Sequence, residues 1–506
     1  MGFVLFLEEI LRILIDPILL LSLVGATLLG IVIGALPGLT ASIGIGLAAG
    51  LTVGMPLTQA LLILLGIYIG AIYGGAQSAI LINIPGTPSA AATAVDGFPL
   101  AKKGQAGPTI GIATISSSIG TIIGLICLVF LTPIIAAFAL EFTSPDFFLL
   151  AVCGIVICGN LTSKDPIKGW LTGFLGMMIG TIGMDGITGY PRFTFGFLEL
   201  MGGITLIPAL IGLFGVSEIL FSMKDGDSGK AIKQIGKVFP NLKTVVKHLR
   251  TSVISGLIGT GIGVIPGVGE DIAAWVSYDV AKRRSKNPEE FGKGNIEGVI
   301  AAETGNNACI GGAIVPVLTL GIPGSAPAAV LMGALMLHGI RVGPMLIFDN
   351  PNFLYQISAI LFLSAIMLVI IGLPIAKVLV PVLSIPKSIL MPLILVLCVI
   401  GTYTLHMRIF DVYLMLALGL IGYFLRMYGF PAAPLCLGIV LTHLADDNLR
   451  RTLIVSEGSL APFFTRPISL VLLGIIILMI LSQNRTLMDR LLFFRKKNST
   501  NQVKQQ

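Results

Sequence analysis

The chain has 506 residues, of which 55% are hydrophobic and only 11% are charged. Soluble proteins carry roughly 25% charged residues, so this composition excludes an ordinary soluble domain and indicates a polytopic membrane protein. The net charge of +7 does not indicate nucleic-acid binding, because the basic residues are concentrated in short segments between apolar runs, where they orient a membrane protein.

The first predicted element is an amphipathic helix over residues 1–17. Its charged residues share one helical face and its apolar residues the other, which is typical of a helix at the membrane surface that leads into the first span. The apolar segments that follow are predicted spans or half-spans, and they are 18–35, 41–53, 57–83, 108–139, 147–163, 167–184, 199–221, 251–265, 268–281, 297–320, 327–340, 353–380, 386–403, 409–427, 431–444 and 467–482. Segments 41–53 and 327–340 are too short to cross a bilayer alone, so we expect them to be arms of helical hairpins.

The first apolar run ends at a Pro-Gly pair, Pro37-Gly38. Proline breaks an arriving helix at about Leu36, and glycine permits a backbone direction that other residues resist. A break at membrane depth is tolerated only where the backbone is buried in protein or lines a wet cavity. A simple kink or a surface loop is the alternative for one such motif taken alone.

The motif is repeated later in the chain. The corresponding pairs, in the same order, are 34–38 with 263–267, 83–87 with 321–325, Gly159 with Gly401 and Gly180 with Gly422. Four matched anchors indicate an internal duplication. Each half therefore contributes two Pro-Gly breaks.

Charge distribution predicts how the two halves are oriented. Lys102 and Lys103 occupy a position where the second half offers His338 and Arg341, whereas the first-half counterpart of the basic stretch 282–293 is uncharged. Because basic loops stay in the cytoplasm, this exchange predicts inverted topology. The predicted fold is an all-α polytopic membrane protein made of two inverted-topology repeats with broken helices and re-entrant helical hairpins.

The predicted organisation divides the chain into six parts. These are an interfacial N-terminal helix (1–17), a first membrane repeat (18–223), a basic cytoplasmic linker (224–250), a second membrane repeat (251–465), a C-terminal transmembrane helix (466–484) and a basic cytoplasmic tail (485–506).

Paired interrupted helices in corresponding positions of inverted repeats indicate the substrate site of a secondary transporter. A half-helix that starts inside the membrane offers free N–H groups and partial positive charge, which suit a carboxylate. The flanking hydroxyl groups either cap the broken ends or donate to a substrate. The candidate substrate-binding residues are Pro37, Gly38, Leu39, Thr40, Ser42, Pro85, Gly86, Thr87, Pro266, Gly267, Pro323, Gly324 and Ser325.

Acidic residues supply candidates for a coupling cation. Glu303 lies beside Asn306 and Asn307, and this oxygen-rich group suits cation coordination or a proton site; an interfacial cap is the alternative. Glu270 and Asp271 follow the third break in a predicted first helical turn, where carboxylates favour the helix dipole, so a plain N-terminal cap competes with a functional role. Asp96 is predicted to lie in a solvated turn.

Several stretches resemble one known family. They are the four Pro-Gly breaks, 68–75, 96–101 and 303–307. In combination they resemble the TctA family, the large membrane subunit of bacterial tripartite tricarboxylate transporters, over nearly the whole chain.

The resemblance implies multi-pass insertion in the bacterial inner membrane and secondary, cation-coupled uptake. It implies no cofactor besides the coupling cation, for which Na⁺ is expected and H⁺ stays open. The implied partners are a small four-helix membrane subunit (TctB-like) and a periplasmic solute-binding protein (TctC-like) that delivers the substrate. The family's substrates are mostly carboxylates, of which citrate is one, so the resemblance does not fix the ligand, nor whether the complex dimerises.

Two other classes of function compete with a carrier. A channel-like permease also uses broken helices, but channel pores commonly arise from oligomeric symmetry around one filter. An intramembrane hydrolase is suggested only by Tyr278-Asp279 and by Gly267-Val268-Gly269-Glu270-Asp271, where the glycine motif has Glu in place of Asp and precedes the Tyr-Asp pair. The HExxH and GxSxG motifs of hydrolases are absent from the sequence. These features favour the carrier.

Overall fold

The computed structural model describes residues 2–162, 165–224, 235–240, 242–383 and 385–482. The predicted tail 485–506 and residues 225–234 and 241 of the predicted linker lie outside the described residues.

The N-terminal half is helical apart from one small hairpin. Its helices are α1 (Gly2–Ile15), α2 (Pro17–Ala35), α3 (Ala41–Leu51), α4 (Leu57–Ile82), α5 (Ala90–Leu100), α6 (Ala106–Ala139), α7 (Ser144–Thr162), α8 (Pro166–Gly180), α9 (Leu206–Leu210) and α10 (Ser217–Lys224). Single π-helical segments, Ala101–Gln105 and Ile211–Val216, join α5 to α6 and α9 to α10. After α8, strands β1 (Gly183–Met184) and β2 (Pro191–Arg192) pair antiparallel, and a 3-10 helix (Leu198–Gly202) follows.

The C-terminal half repeats the pattern of long and short helices. Its helices are α11 (Leu242–Lys247), α12 (Leu249–Gly263), α13 (Gly269–Arg284), α14 (Ile296–Leu320), α15 (Ala326–Leu337), α16 (Leu346–Asp349), α17 (Pro351–Val382), α18 (Lys387–His406), α19 (Ile409–Met427), α20 (Ala432–Val455), α21 (Pro462–Thr465) and α22 (Pro467–Ser482), with a 3-10 turn at Pro288–Glu290. Eight helical stretches among the described residues are long and apolar enough to cross a membrane. The predicted all-α polytopic fold is confirmed.

Helices that carry the breaks pack in pairs, α2 along α4 and α12 along α14. Glycines let their backbones approach closely. A Cβ built on Gly34 would lie 1.9 Å from the carbonyl oxygen of Ala71, and one on Gly263 would lie 2.4 Å from that of Cys309. Such contacts between small residues are what hold membrane helices together, since lipid provides no hydrophobic drive between them.

Two contacts show which helix ends share a face of the protein. The Lys103 ammonium, after α5, donates to the carbonyl of Lys293, after α13, at 2.7 Å. His338, at the end of α15, lies 3.2 Å from the Thr52 hydroxyl, at the end of α3. The ends of α5 and α13 therefore lie together, as do the ends of α3 and α15.

The prediction that Asp96 lies in a solvated turn is wrong. Asp96 is fully buried inside α5. Its Oδ1 accepts the backbone N–H groups of Gly292, Gly294 and Asn295, each at 2.8 Å, and its Oδ2 accepts the Tyr278 hydroxyl at 2.8 Å. Four donors satisfy this buried carboxylate, as burial of a charge requires, and it fixes the loop before α14 against the first half.

Two further elements differ from the predicted spans. Helix α5 was not among them, because Asp96 and Pro99 interrupt the apolar pattern there. Helix α20 continues to Val455, eleven residues past the predicted end at 444, and two of the charged residues in this extension, Asp446 and Arg450, are paired. Arg450 contacts Asp446 at 3.0 Å and Asp185 at 2.5 Å.

Candidate functional site

The second break of the first half and the second break of the second half have the same local geometry. Helix α4 ends at Asn83 (φ 56°) and α14 at Gly321 (φ 67°), both in the left-handed conformation that terminates helices. Beyond each Pro-Gly pair the chain folds back on its own helix. The N–H of Gly86 donates to the carbonyl of Gly75 at 3.4 Å, and that of Gly324 donates to the carbonyl of Ala313 at 3.4 Å.

Glycine is required at these two positions by a close backbone contact. A Cβ on Gly86 would lie 1.9 Å from the Gly34 oxygen, and one on Gly324 would lie 2.0 Å from the Gly263 oxygen. Real Cβ atoms do not approach backbone atoms so closely. The second break of each half is therefore seated directly on the first.

The four breaks border one cavity of about 240 Å³. Its lining comes from both halves and from two other elements, the segment around Phe214 and the start of α20. The lining residues are Thr40, Ala41, Ser42, Ile72, Thr87, Pro88, Ser89, Phe214, Gly267, Val268, Gly269, Glu270, Asp271, Ala326, Pro327, Pro431, Ala432 and Ala433. Short helices that start inside the protein, α3, α13 and α15, thus point their N-termini toward the same space.

Some candidate substrate-binding residues line this cavity and others lie behind it. Thr40, Ser42, Thr87 and Gly267 are in the lining. The others shape the breaks without being part of the lining, and they are Pro37, Gly38, Leu39, Pro85, Gly86, Pro266, Pro323, Gly324 and Ser325.

The first-half wall of the cavity carries hydroxyl groups. The Thr40 hydroxyl caps α3 by accepting the N–H of Ile43 at 3.4 Å. Ser42 is 4% exposed, and its hydroxyl has no hydrogen-bond partner within the described part of the chain. Thr87 and Ser89 are 3.1 Å apart, hydroxyl to hydroxyl. A buried hydroxyl without a partner is costly, so Ser42 is the side chain of this wall that is free to bind a ligand.

The second-half wall carries carboxylates. Glu270 is buried (3% exposed), and its Oε1 accepts the hydroxyls of Tyr68 and, at 2.9 Å, of Ser325. Tyr68 and Ser325 are themselves 2.8 Å apart, and Ser325 caps α15 by accepting the N–H of Ala328 at 3.2 Å. Glu270 therefore connects α13 to α4 and α15, which a plain N-terminal cap would not do.

Asp271 is exposed to the cavity and forms no hydrogen bond or ion pair within the described residues. The lining holds two carboxylates, Glu270 and Asp271, and no Lys, Arg or His among its residues. A cavity of this kind attracts cations and, through helix N-termini and hydroxyls, also offers donors to an anion.

Among the described residues, backbone hydrogen bonds join the two breaks of the second half but not the two breaks of the first half. The N–H of Gly267 donates to the carbonyl of Pro323 and the N–H of Gly269 to that of Gly324, both at 3.1 Å. No backbone bond joins the corresponding first-half breaks among the described residues. Gly38 instead faces Ser222 and Met391.

The comparison with known protein families identifies the chain. The model of the Tripartite tricarboxylate transporter TctA family matches residues 19–437. The chain belongs to the TctA family.

Two relatives from Agrobacterium vitis resemble this TctA protein. One, described as "Uncharacterized 52.8 kDa protein in TAR-I ttuC' 3'region", is 38% identical over 450 residues, which cover 88% of this chain and 89% of the relative. The other, "Uncharacterized protein in TAR-II ttuC' 3'region", is 42% identical over 217 residues, 43% of this chain and 90% of the relative. No solved structure matches. Membership of this family implies a membrane component of a tripartite tricarboxylate transporter, with TctB- and TctC-like partners.

In this TctA protein the Glu303 group lies apart from the cavity. Glu303 is fully buried and accepts the hydroxyls of Thr93 and, at 2.7 Å, of Ser117. It sits two turns inside α14, whose N-cap is Asn295, so the alternative of an interfacial cap is wrong. The described residues contain no group of three or more His, Cys, Asp or Glu that could hold a metal.

Polar atoms around Glu303 lack partners. The Asn307 amide donates to Asn306 Oδ1 at 2.6 Å. In the same stretch of α14, Thr304 Oγ1 and Asn307 Oδ1 have no hydrogen bond within the described chain. A buried oxygen of this kind can coordinate a cation. Cation binding by Glu303, Asn306 and Asn307 stays a prediction.

Sequence reasoning missed two residues that line the TctA cavity, Phe214 and Pro431, and one, Tyr68, that contacts the lining residue Glu270. Tyr68 lies in the middle of α4, where it looks like a core aromatic, although it is a tyrosine in a Gly-rich span. Phe214 has no local signal. Pro431 follows Gly429 and Phe430, a break that resembles the others and could have been included with them.

Proposed function

We propose that this protein is the carrier of a cation-coupled secondary uptake system for a small di- or tricarboxylate, delivered by a periplasmic binding protein and moved across the bacterial inner membrane by alternating access. The observation that carries the proposal is the composition of one cavity. The N-terminus of α3, with the unpaired hydroxyl of Ser42, faces the carboxylates of Glu270 and Asp271, and the lining contains no Lys, Arg or His.

The first-half wall suits the substrate carboxylate. The first N–H groups of α3 have no partner within that helix and carry partial positive charge, and Ser42 adds a free hydroxyl. The volume of about 240 Å³ lies below that of pockets for drug-sized ligands, roughly 300–1,000 Å³, which favours a small substrate.

The second-half wall explains why a cation must accompany an anionic substrate. Asp271 and a substrate carboxylate in one cavity repel each other, by about 4 kcal/mol at 4 Å separation in a protein-like medium. A bound Na⁺, or a proton on Asp271, removes that repulsion. Carboxylate and hydroxyl oxygens of Asp271, Glu270 and Ser325 supply ligands that a hard cation prefers.

The Glu303 group is the second candidate for the coupling cation. The unpartnered oxygens of Thr304 and Asn307 in the same stretch of α14 favour it. Because it is separated from the cavity lining, a cation there would act on transport through the position of α14 and would not touch the substrate.

The two pairs of breaks differ in their backbone hydrogen bonds, and this difference supports alternating access. If the halves are inverted repeats, each can adopt the arrangement of the other. The shared positions of the α3 and α15 ends, and of the α5 and α13 ends, support inversion. We propose that the backbone bonds of Gly267 and Gly269 open when equivalent bonds from Gly38 and Thr40 form, which exposes the cavity to the opposite side.

Uptake into membrane vesicles tests the proposal. The vesicles contain this chain with its small membrane subunit, and the binding protein loaded with labelled carboxylate is added outside. We expect saturable accumulation driven by an imposed inward Na⁺ gradient, or by a proton gradient if H⁺ is the coupling ion. Passive ohmic conductance without accumulation would establish the channel-like alternative instead.

A further inference from the structure

A second cavity lies at the far end of α13, on the face that carries the basic loops. Its volume is about 590 Å³. It is built from the segment after α5, the end of α11, the end of α13 and the loop before α14. The lining residues are Leu100, Lys103, Gln105, Lys247, His248, Arg284, Ser285, Lys286, Asn287, Glu290, Gly294, Asn295, Ile296 and Glu297.

Positive charge is in excess in this basic cavity. Lys247, Arg284 and Lys286 are exposed and form no ion pair or hydrogen bond within the described chain. The Lys103 ammonium donates to a neutral carbonyl, that of Lys293, so its charge is also uncompensated. The cavity is therefore ready to bind an anion.

The two carboxylates of the lining are already engaged by neutral donors. Glu297 accepts the hydroxyls of Thr251 at 2.7 Å and Ser285 at 3.0 Å. Glu290 accepts amide donors from Asn287 at 3.4 Å and Asn295 at 3.5 Å. Neither carboxylate forms a salt bridge with Lys or Arg in the described residues; the imidazole Nδ1 of His248 lies 3.8 Å from Glu297.

The shape of the basic cavity is fixed before any ligand arrives. Its floor, the loop at Gly294 and Asn295, is held by two hydrogen bonds to the buried Asp96 carboxylate. Asn295 also caps α14 by accepting the N–H of Glu297 at 2.8 Å. Such preorganisation reduces the entropy lost when a ligand binds.

We propose that this cavity binds the phosphate group of an anionic phospholipid. Arg284 provides a fork that matches phosphate oxygens, and Lys103, Lys247 and Lys286 surround it with further charge. Basic pockets between transmembrane helices on the cytoplasmic side suit anionic lipid headgroups, and Leu100 and Ile296 give the lining apolar surface for the start of the lipid chains. A soluble phosphate has the same chemistry and is the other source.

A ligand in the basic cavity would affect the cavity bordered by the four breaks, because α13 contributes residues to both. This helix begins at Gly269 beside Asp271 and ends at Arg284. A lipid held at its C-terminal end stabilises one position of the helix that carries the carboxylate wall.

Thermal unfolding of the full-length chain in mild detergent tests the proposal. The probes are dioleoyl phosphatidylglycerol, dioleoyl phosphatidylcholine and inorganic phosphate, each titrated separately. We expect phosphatidylglycerol to raise the Tm by at least about 3 °C and phosphatidylcholine to leave it unchanged. The Arg284→Gln, Lys286→Gln double variant should lose this rise.

The matched control is the Lys282→Gln, Arg283→Gln double variant. It removes two positive charges that are adjacent in sequence to Arg284, from residues that do not line the cavity. It should keep the full rise in Tm. A rise with inorganic phosphate alone, lost only in the cavity variant, supports the site with soluble phosphate as its ligand. The proposal is overturned if no probe shifts the Tm, if phosphatidylcholine acts as well as phosphatidylglycerol, or if both double variants lose the effect equally.

Discussion

The two walls of the cavity bordered by the four breaks have the same backbone arrangement but different side chains. Counted from Pro37-Gly38 and Pro266-Gly267, Ser42 corresponds to Asp271. Both residues lie in the first turn of a short helix that starts at a Pro-Gly break and faces the cavity. In the proposed function, the breaks determine where the ligand binds, and the residue in the first turn decides whether that wall attracts an anion or a cation.

The walls also differ in how firmly they are held. Backbone bonds join the two second-half breaks, whereas Gly38 of the first half faces Ser222 and Met391 from other elements. Glu270 reinforces the second-half wall through Tyr68 and Ser325. The first-half wall thus has fewer such bonds, which is the asymmetry that the proposed alternating access requires.

The largest effect is expected where the halves are most alike. Gly86→Ala and Gly324→Ala should each prevent accumulation of folded protein, because the new Cβ would overlap a backbone oxygen and the packed helices cannot separate without losing several contacts. Overpacking costs about 1–3 kcal/mol where side chains can adjust, and backbone contacts adjust less. The measurement is the yield of monodisperse protein from membranes.

Gly25→Ala is the control for these variants, since a Cβ there meets nothing within 4 Å. Its yield should equal that of the native chain. Normal yield for one of the two break variants would show that the halves are not structurally equivalent.

Asp271→Asn should remove the coupling that distinguishes the second-half wall. With the Asp271 carboxylate removed, a cation is no longer needed to offset its repulsion of the substrate, and we expect gradient-driven accumulation to fall at least about 100-fold, the equivalent of roughly 3 kcal/mol. Vesicle uptake with and without an imposed Na⁺ gradient measures this. Asp279→Asn, on the same helix but paired with Arg283 at 2.8 Å, should leave coupling intact; unchanged Na⁺ dependence in Asp271→Asn would contradict the assignment.

Ser42→Ala should weaken substrate binding and spare coupling. A hydrogen bond to a charged group contributes about 1.5–3 kcal/mol, so the KM for the carboxylate should rise about 10-fold or more with the same Na⁺ dependence. Ser22→Ala, whose hydroxyl donates to the Ile18 carbonyl away from the cavity, serves as control. If the KM is unaltered while Na⁺ dependence changes, the roles of the two walls are reversed.

Glu303→Gln should have the smallest effect on transport. The amide keeps the shape of the side chain but weakens the bonds from Thr93 and Ser117, so we expect lower stability by about 1–3 kcal/mol and less than about a threefold change in coupled uptake. Thermal unfolding and Na⁺-dependent uptake measured on one preparation separate these outcomes. Loss of Na⁺ dependence with unchanged stability would move the coupling cation to the Glu303 group.

The sequence alone determined the class and the positions of the breaks, and it predicts the duplication. These features depend on local backbone chemistry, because proline removes a donor and glycine admits unusual φ angles wherever the chain places them. Helices α3, α4, α12, α13, α14 and α15 accordingly begin and end within a few residues of the predicted bounds.

Only the tertiary structure decided which polar groups meet. Glu270 contacts Tyr68, which is 202 residues away in the sequence, Asp96 holds a loop of the opposite half, and Glu303 is buried apart from the cavity. No local pattern fixes these encounters, since each carboxylate is satisfied by donors that packing brings from distant segments. The sequence placed acids next to breaks; the packing of α4, α13 and α14 decided which acids face the cavity.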